Sequence, residues 1–289
     1  MHLLKDKQTA RQWVEEQTSA GRAVGLVPTM GALHAGHLSL VEESLERCDS
    51  TVATIFVNPT QFAAHEDLNK YPRTLDADLE MLLGAGVDAV FVPEASTIYR
   101  PGFSTYVSPP DVGRRWEGEH RPDHFRGVTT IVAKLFHLLP TTHAFFGRKD
   151  YQQARVLQAM VDDLDFAIKI VVCPIVREAD GLALSSRNRY LDPSQRSRAL
   201  ALYRALQAAQ DLVGTGERRV THVEACMQDE LQSAVDQTDY SVVVDADSLE
   251  PIDELNGSAV ALVAARVGET RLIDNVRLDP NGETADAVL

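Results

Sequence analysis

Two histidines three residues apart, His34 and His37, follow a short apolar segment that has the pattern of a buried strand. Gly31 and Gly36 lie in the same stretch, and a glycine backbone can come close to a bound group. If a helix begins near Gly36, the N–H groups of its first turn and its positive dipole end point toward the two imidazoles. Histidine pairs are also common on protein surfaces, so the strand–turn–helix context carries the prediction. The stretch is predicted to bind an anion, with the phosphates of a nucleotide as the favoured ligand.

Two further polar segments suit phosphate binding. Lys149 and Asp150 stand at a predicted helix start, where the lysine would contact phosphates and the carboxylate a ribose hydroxyl. Asp150 would equally serve as a simple helix cap. Ser185, Ser186 and Arg187 lie at a predicted domain junction, where they would bind a triphosphate tail or merely solvate a hinge.

The sequence favours neither a metal cluster nor a disulfide framework. Segment 117–128 carries two histidines, but their spacing and flanking residues favour a solvated loop over a metal site. Cys48, Cys173 and Cys226 are widely separated and odd in number, which is typical of thiols in a reducing compartment.

The hydropathy pattern predicts that the polar motifs follow strands of one parallel sheet. Strands are expected at 23–27, 51–57, 87–93, 143–146 and 167–172, and helices at 9–19, from 36, and at 74–83, 125–139 and 151–162. This alternation indicates an α/β fold, a Rossmann-like open parallel sheet with helices on both faces. Ligands of such sheets bind beyond the carboxyl ends of the strands, so His34, Asn58, Gln61 and Lys149 are predicted to share one cleft. Thr9 is expected to cap the first helix, and 106–107 to form a short strand.

The pattern changes after Val176. A long helix is predicted from Asp192 to Leu212 and another at 222–235, followed by strands at 240–244, 259–264 and 271–273. We therefore expect two domains, a nucleotide-binding domain at 1–176 and a smaller α+β lid domain at 177–289. The Ser-Ser-Arg-Asn loop opens the second domain, and the residues after Asp279 are expected to fray.

Composition limits the classes of function. The chain has 289 residues, of which 44% are hydrophobic and 24% charged, as in soluble globular proteins. Its formal net charge of −14 argues against a nucleic-acid partner. No apolar run reaches the ~18–20 residues of a membrane span, and residues 1–7 lack the apolar core of a signal peptide. A cytoplasmic protein without membrane contact is expected.

Ordered motifs between about residues 20 and 200 closely resemble the pantoate–β-alanine ligase (pantothenate synthetase) family, of the class I aminoacyl-tRNA synthetase-like nucleotidyltransferase group. The motifs are Pro28-Thr29-Met30-Gly31-Ala32-Leu33-His34-Ala35-Gly36-His37, Phe56-Val57-Asn58-Pro59-Thr60-Gln61-Phe62, Tyr71-Pro72-Arg73-Thr74, Lys149-Asp150-Tyr151-Gln152-Gln153, Arg177-Glu178-Ala179-Asp180-Gly181-Leu182-Ala183 and Ser185-Ser186-Arg187-Asn188. The sequence departs from the family pattern at three positions. Asp123 replaces a usual glycine, Arg148 a glutamate and Leu184 a methionine.

The resemblance implies an ATP-dependent condensation of pantoate with β-alanine through a pantoyl adenylate, releasing AMP and pyrophosphate, with pantoate bound in the 1–176 domain. It implies catalytic roles for His34, His37, Lys149 and Arg187. It assigns pantoate to Gln61 and Gln153, and β-alanine to Gln61, Asn58 and Arg121. Mg²⁺ would ride on the phosphates, with Asp78 as a candidate contact, and the active form would be a homodimer. The implied ATP site comprises Met30, Gly31, Ala32, Leu33, His34, Ala35, Gly36, His37, Gly147, Arg148, Lys149, Asp150, Val176, Leu184, Ser185, Ser186 and Arg187.

Two other functions fit the phosphate-binding motifs taken alone. A nucleotidylyltransferase that adenylylates a phosphate-bearing substrate uses similar histidines, but it leaves Gln61 and Gln153 without a role. A non-catalytic nucleotide-binding regulatory module also explains the phosphate motifs, and it leaves the same glutamines idle.

Overall fold

The computed structural model describes residues 1–63 and 66–280, and the chain divides into two compact units. The first unit comprises residues 1–148 and 152–173, and the second comprises 149–151 and the chain from 174 onward. The predicted division of labour between a binding domain and a lid stays a prediction.

A six-stranded parallel sheet is the frame of the first unit. Its strands are β1 (His2–Leu4), β2 (Val24–Thr29), β3 (Ser50–Ile55), β4 (Ala89–Phe91), β5 (His143–Gly147) and β6 (Lys169–Cys173). The helices are α1 (Lys7–Ser19), α2 (Ala35–Arg47), α3 (Leu75–Gly84), α4 (Ala95–Ile98), α5 (Glu117–His120), α6 (His124–Leu138) and α7 (Tyr151–Asp163). The strands stand in the order β1-β4-β3-β2-β5-β6, and each adjacent pair is parallel. The predicted fold class is confirmed.

Both faces of this sheet are buried. Alternate residues of a strand face opposite sides, and Leu26 of β2 packs into a core that includes residues of α1, α6 and α7. The next residue, Val27, packs into a second core with residues of α2 and α3. Val52 and Ala53 of β3 divide in the same way. Burial on both sides explains why these strands read as continuous apolar runs.

The order of the strands places a crevice beside β2. From β2 the chain runs outward to β3 and β4 on one side, whereas β5 and β6 lie on the other side. Such a reversal is the general ligand site of an open parallel sheet, at the carboxyl ends of the strands. The loops that follow β2 and β5 flank this point, and the loop that follows β3 lies next to them.

The second unit contains an antiparallel sheet in the order β7-β8-β9 and two long helices. The elements are α8 (Pro193–Gly214), α9 (Val220–Gln232), β7 (Gln237–Asp245), β8 (Ala259–Val267) and β9 (Thr270–Leu278). Asp192 accepts a hydrogen bond from the N–H of Gln195 at 2.8 Å, and the Gln195 side chain accepts one from the Asp192 N–H at 3.1 Å. This capping box fixes the start of α8. The predicted smaller α+β fold is confirmed.

Several local predictions differ from the structure. Asp6, not Thr9, caps α1, because its carboxylate accepts from the N–H groups of Gln8 and Thr9 at 3.0 and 2.9 Å. The predicted strand at 106–107 is absent, and Val107 instead bonds to hydroxyls of α6. Strand β1 was not predicted, since three residues carry too little periodicity. The end predicted to fray is 280–289, of which 281–289 lie outside the described residues, while the Pro280 carbonyl accepts from Arg218 at 2.7 Å. Across the described ranges, no helix has both the length and the apolar character needed to cross a bilayer.

Candidate active site

The loop between β2 and α2 has a conformation set by left-handed backbone and a buried carboxylate. Gly31 has a φ of 79° and Ala32 a φ of 52°. Asp78 of α3 accepts hydrogen bonds from the N–H groups of Ala32 and Leu33 at 3.0 and 2.8 Å, and the Thr74 hydroxyl lies 3.2 Å from both carboxylate oxygens. Asp78 is only 1% exposed. We therefore propose that Asp78 shapes this loop, in place of the predicted contact with Mg²⁺.

The two histidines cap the helix that they precede. Helix α2 begins at Ala35, and the His34 Nδ1 atom accepts from the Gly36 N–H at 3.2 Å. The His37 Nδ1 atom accepts from the His34 N–H at 3.3 Å, and the ring centroids are 4.1 Å apart. Because a backbone N–H can only donate, the neutral form of each ring carries its proton on Nε2. Each neutral imidazole thus carries its N–H group at Nε2.

This arrangement revises one sequence prediction. If the helix begins near Gly36, the sequence predicts that the free N–H groups of its first turn point to the same place as the imidazoles. The N–H of Gly36 instead donates a hydrogen bond to His34. The positive end of the α2 dipole remains beside both rings.

After β3, Asn58 is buried and Gln61 is half-buried. The Asn58 Nδ2 atom donates to Gln61 Oε1 at 3.0 Å and to the Gly127 carbonyl at 3.2 Å. The Gln61 Nε2 atom lies 3.2 Å from the Sδ atom of Met30. The structure thus brings two predicted site residues, Gln61 and Met30, into contact. Asn58 binding to β-alanine stays a prediction.

Arg121 forms ion pairs with two carboxylates. Its Nε and Nη2 atoms bond to the two oxygens of Glu66 at 2.6 and 2.8 Å. Its Nη1 atom bonds to Glu117 at 3.1 Å, and Nη2 is 3.4 Å from the Gln61 carbonyl. Burial raises the pKa of Glu66, but the hydrogen bonds and charge of Arg121 outweigh it and hold that pKa below its ordinary value. Arg121 therefore helps to fix the Gln61 loop, and its predicted contact with β-alanine stays a prediction.

The segment 117–128 is consequently more than the solvated loop expected from its sequence. Glu117 is 5% exposed, and its N–H donates to Gln152 Oε1 at 3.1 Å. Asp123 has a φ of −95° and pairs with Arg126 at 3.1 Å, so replacing the usual glycine there imposes no left-handed strain. Among residues 1–63 and 66–280, no group of three or more His, Cys, Asp or Glu side chains is arranged to hold a metal.

His124 at the start of α6 also holds the Gln61 backbone. Its Nδ1 atom lies 3.1 Å from the Gln61 carbonyl, which can only accept, so Nδ1 carries the proton. Burial, aided by the charge of Arg121, lowers the pKa of His124 to about 4. The imidazole is therefore neutral at physiological pH.

This pKa predicts an acid-sensitive stability. The unfolded chain takes up a proton at His124 near pH 6.5, whereas the folded chain does so only near pH 4, so the favourable contribution is complete above pH 6.5 and is lost as the pH falls toward 4. The expected loss is up to about 3 kcal/mol. Urea unfolding between pH 7 and pH 4.5 will measure it. His124→Asn keeps a donor near the Nδ1 position and should flatten this part of the profile. A variant whose stability falls with pH as steeply as that of the parent would contradict the assignment.

Beyond β5, Gly147 ends the strand that is hydrogen-bonded to β2. Lys149 follows two residues later and belongs to the second unit, where its carbonyl accepts from the Asn275 Nδ2 atom at 2.9 Å. In α7, Gln152 is buried and donates to the carbonyls of Val112 and Arg115, both at 2.9 Å. The neighbouring Gln153 is half-buried, and its predicted contact with pantoate stays a prediction.

Two further predicted ATP residues, Val176 and Leu184, lie in a hairpin of the second unit. The Leu184 N–H donates to the Val176 carbonyl at 3.0 Å, which brings these two positions together. Arg177 forms two hydrogen bonds with Asp274, at 2.6 and 3.0 Å, and lies over the Tyr203 ring at 4.8 Å. Burial raises the pKa of Asp274, and Arg177 opposes that rise. The hairpin is thus an ordered scaffold and not a merely solvated hinge.

The serine–arginine loop follows this hairpin directly. The Ser185 hydroxyl accepts from the Arg187 N–H at 3.3 Å and caps a 3-10 helix, Ser186–Tyr190. Ser186 is buried, whereas Arg187 is half-buried. Asn188 donates to Glu178 and to the Ala183 carbonyl, at 2.9 and 3.1 Å, and so joins the loop to the hairpin. The triphosphate contact of Arg187 stays a prediction.

Comparison of the sequence with known proteins gives one consistent family. A family model described as pantoate-beta-alanine ligase matches residues 2–277. The pantothenate synthetase of Rhodopirellula baltica is 53% identical over 271 residues, which cover 93% of this chain and 95% of that protein. The pantothenate synthetase of Moorella thermoacetica is 48% identical over 282 residues, which cover 97% of this chain and 100% of that protein.

Solved structures agree with the sequence comparison. Pantothenate synthetase from Thermus thermophilus matches with a TM-score of 0.91 and 42% identity, covering 96% of this chain and 99% of that chain. Pantoate-beta-alanine ligase from Francisella tularensis, solved in complex with beta-gamma ATP and beta-alanine, matches with a TM-score of 0.75 and 30% identity. That match covers 98% of this chain and 99% of the Francisella chain.

Proposed function

This chain belongs to the pantoate–β-alanine ligase family, whose reaction forms a carbon–nitrogen bond. We propose that in this protein the reaction proceeds through an acyl adenylate. The pantoate carboxylate would attack the α-phosphorus of ATP and release pyrophosphate. The amine of β-alanine would then attack the activated carbonyl and release AMP. The Francisella ligase complex with an ATP species and β-alanine supports assigning these two substrates to this chain.

One observation carries the proposal. The Gln61 amide lies 3.2 Å from Met30, a residue of the loop that leads into His34 and His37. A hydroxy acid bound to Gln61 would therefore sit beside the loop proposed to bind ATP. Adjacency of this kind is what in-line attack on the α-phosphorus requires, because positioning supplies much of the rate enhancement. The two alternative functions give this amide no role.

The charges of the site suit a reaction between two anions. Attack of a carboxylate on a phosphate needs compensating positive charge or preorganised donors in a site that excludes water. We assign this task to the Nε2–H groups of His34 and His37 and to the α2 dipole. The phosphate contacts of Lys149 and Arg187 are proposed from the family resemblance. No side chain needs to become covalently attached, since the phosphate itself activates the carboxylate.

We propose that Mg²⁺ enters the site together with ATP. We propose that the ATP phosphates hold the ion, because the carboxylate of Asp78 is occupied by the N–H groups of Ala32 and Leu33. When bound, Mg²⁺ would neutralise phosphate charge during the attack. We also propose that the protein acts as a homodimer in the cytoplasm.

An isotope experiment tests the mechanism. Pantoate labelled with heavy oxygen in its carboxylate is incubated with ATP and β-alanine, and the products are examined by mass spectrometry. An adenylate route transfers one labelled oxygen to AMP and none to pyrophosphate. Label in inorganic phosphate, with ADP as the co-product, would refute the adenylate and indicate an acyl phosphate. Failure to release AMP with both substrates present would favour one of the two alternative functions.

A further inference from the structure

Backbone groups fix the orientation of the Asn58 amide. The Gly127 carbonyl can only accept a hydrogen bond, so the atom 3.2 Å from it is Nδ2. The Thr60 N–H can only donate, so the atom 3.4 Å from it is Oδ1. The two constraints agree, and the amide has one orientation. In the reversed orientation, the amide oxygen would face the Gly127 carbonyl oxygen and the amide NH₂ would face the Thr60 N–H.

The orientation of Asn58 in turn fixes that of Gln61. The Asn58 Nδ2 atom donates to Gln61 at 3.0 Å, so Gln61 must offer Oε1 there and direct Nε2 the other way. Nε2 meets Met30 Sδ at 3.2 Å, and a thioether is a weak acceptor that a substrate oxygen can replace. Gln61 therefore presents a donor, which suits a carboxylate or a hydroxyl oxygen of the acid substrate.

Tyr99 also belongs to this hydrogen-bond network. Its hydroxyl donates to Asn58 Oδ1 at 2.7 Å and lies 3.1 Å from the Thr60 hydroxyl, which itself donates to Oδ1 at 3.0 Å. Burial raises the pKa of Tyr99, so the hydroxyl keeps its proton throughout the working pH range. The ring packs against Phe103 edge-on, at a centroid distance of 4.9 Å. The phenol is thus held as a permanent donor to Asn58.

We propose that Tyr99 and Asn58 are positioning residues that act through Gln61, selecting the amide orientation that presents a hydrogen-bond donor to the pantoate carboxylate or hydroxyl. The inference rests on the proposed role of Gln61. It gives Asn58 a task that differs from direct contact with β-alanine, and it gives a task to Tyr99, which no sequence motif marks. All four residues of the network lie within the first unit.

Kinetics of the full-length enzyme test the proposal. Tyr99→Phe removes only the hydroxyl and should raise the KM for pantoate about 3- to 10-fold, as expected for one lost hydrogen bond, with the KM for ATP unchanged. Asn58→Asp places an oxygen opposite Gln61 Oε1 and should raise the pantoate KM by at least ~10-fold. Tyr106→Phe is the matched control, because Tyr106 is 41% exposed and its hydroxyl forms none of the hydrogen bonds named above, while its ring packs against Phe103 as the Tyr99 ring does. It should leave all three KM values unchanged.

A double-mutant cycle separates positioning from general structural damage. Gln61→Met removes the amide and should raise the pantoate KM by itself. If Tyr99 acts through Gln61, adding Tyr99→Phe to Gln61→Met produces no further rise. Additive effects of the two changes, or a Tyr99→Phe effect spread over all three substrates, would overturn the inference. A normal pantoate KM in Gln61→Met would instead refute the role of Gln61 in the proposed function. Where turnover is too slow, calorimetric titration with pantoate gives the same comparison.

Discussion

Replacing His37 by Gln is expected to slow formation of the acyl adenylate by ~10²-fold or more, the scale of losing one preorganised donor to a developing charge. Glutamine is a normal partner at this position of a capping box, so it can still accept from the His34 N–H. The Nε2–H donor of the imidazole is lost. The variant therefore separates catalysis from capping, which His37→Ala would not do. Pantoate-dependent exchange of labelled pyrophosphate into ATP measures the step without β-alanine.

His34→Asn applies the same logic to the other ring. Asparagine is a preferred N-cap residue and can accept from the Gly36 N–H as His34 Nδ1 does, so α2 should keep its stability. A similar loss of exchange rate is expected. His137→Gln makes an equivalent change at an exposed residue of α6 and serves as the control. Normal exchange by either active-site variant would show that these donors do not face the reacting phosphate.

The parts of the site that the sequence predicts are local ones. The strand, turn and helix around His34 lie within the 24 consecutive residues from Val24 to Arg47, so hydropathy, glycine positions and histidine spacing can be interpreted together. The parallel sheet follows from the same kind of local pattern, because alternating strands and helices form such a sheet and its ligand edge is then predictable.

The parts that the sequence does not predict join distant positions. Arg121 meets Glu66 across 55 positions of the chain, and Tyr99 meets Asn58 across 41. The residues adjacent to these side chains in the sequence give no sign of the contacts, because a single charged or aromatic residue in a polar segment is equally compatible with exposure to solvent. The position of Asp78 shows the same difficulty. Its helix was predicted, but a carboxylate in the first turn of a helix is equally suited to the dipole, a metal or a loop.

The role of Asp78 leads to the second large effect. Asp78→Asn puts an NH₂ group opposite the N–H of Ala32 or Leu33, which leaves a buried donor without an acceptor. We expect a loss of about 3 kcal/mol in the free energy of unfolding. The loop before His34 would move as well, and displacements of this kind can reduce the rate ~10²-fold. Urea unfolding and pyrophosphate exchange measure the two effects.

The comparison with Asp76→Asn distinguishes a residue that stabilises the loop from a residue that contacts the metal. Asp76 lies in the same first turn of α3 but is exposed, so its replacement removes the same charge from the helix end without touching the loop. It should change both stability and rate only slightly. Unfolding is measured without Mg²⁺ or ATP, where a residue that only contacts the metal has nothing to lose. If Asp78→Asn is as stable as Asp76→Asn there, and its activity returns at high Mg²⁺, the metal role is correct and the structural role is wrong. Because both carboxylate oxygens are held by N–H groups of the loop, we expect the opposite result, an apo protein destabilised by Asp78→Asn alone, with no rescue by Mg²⁺.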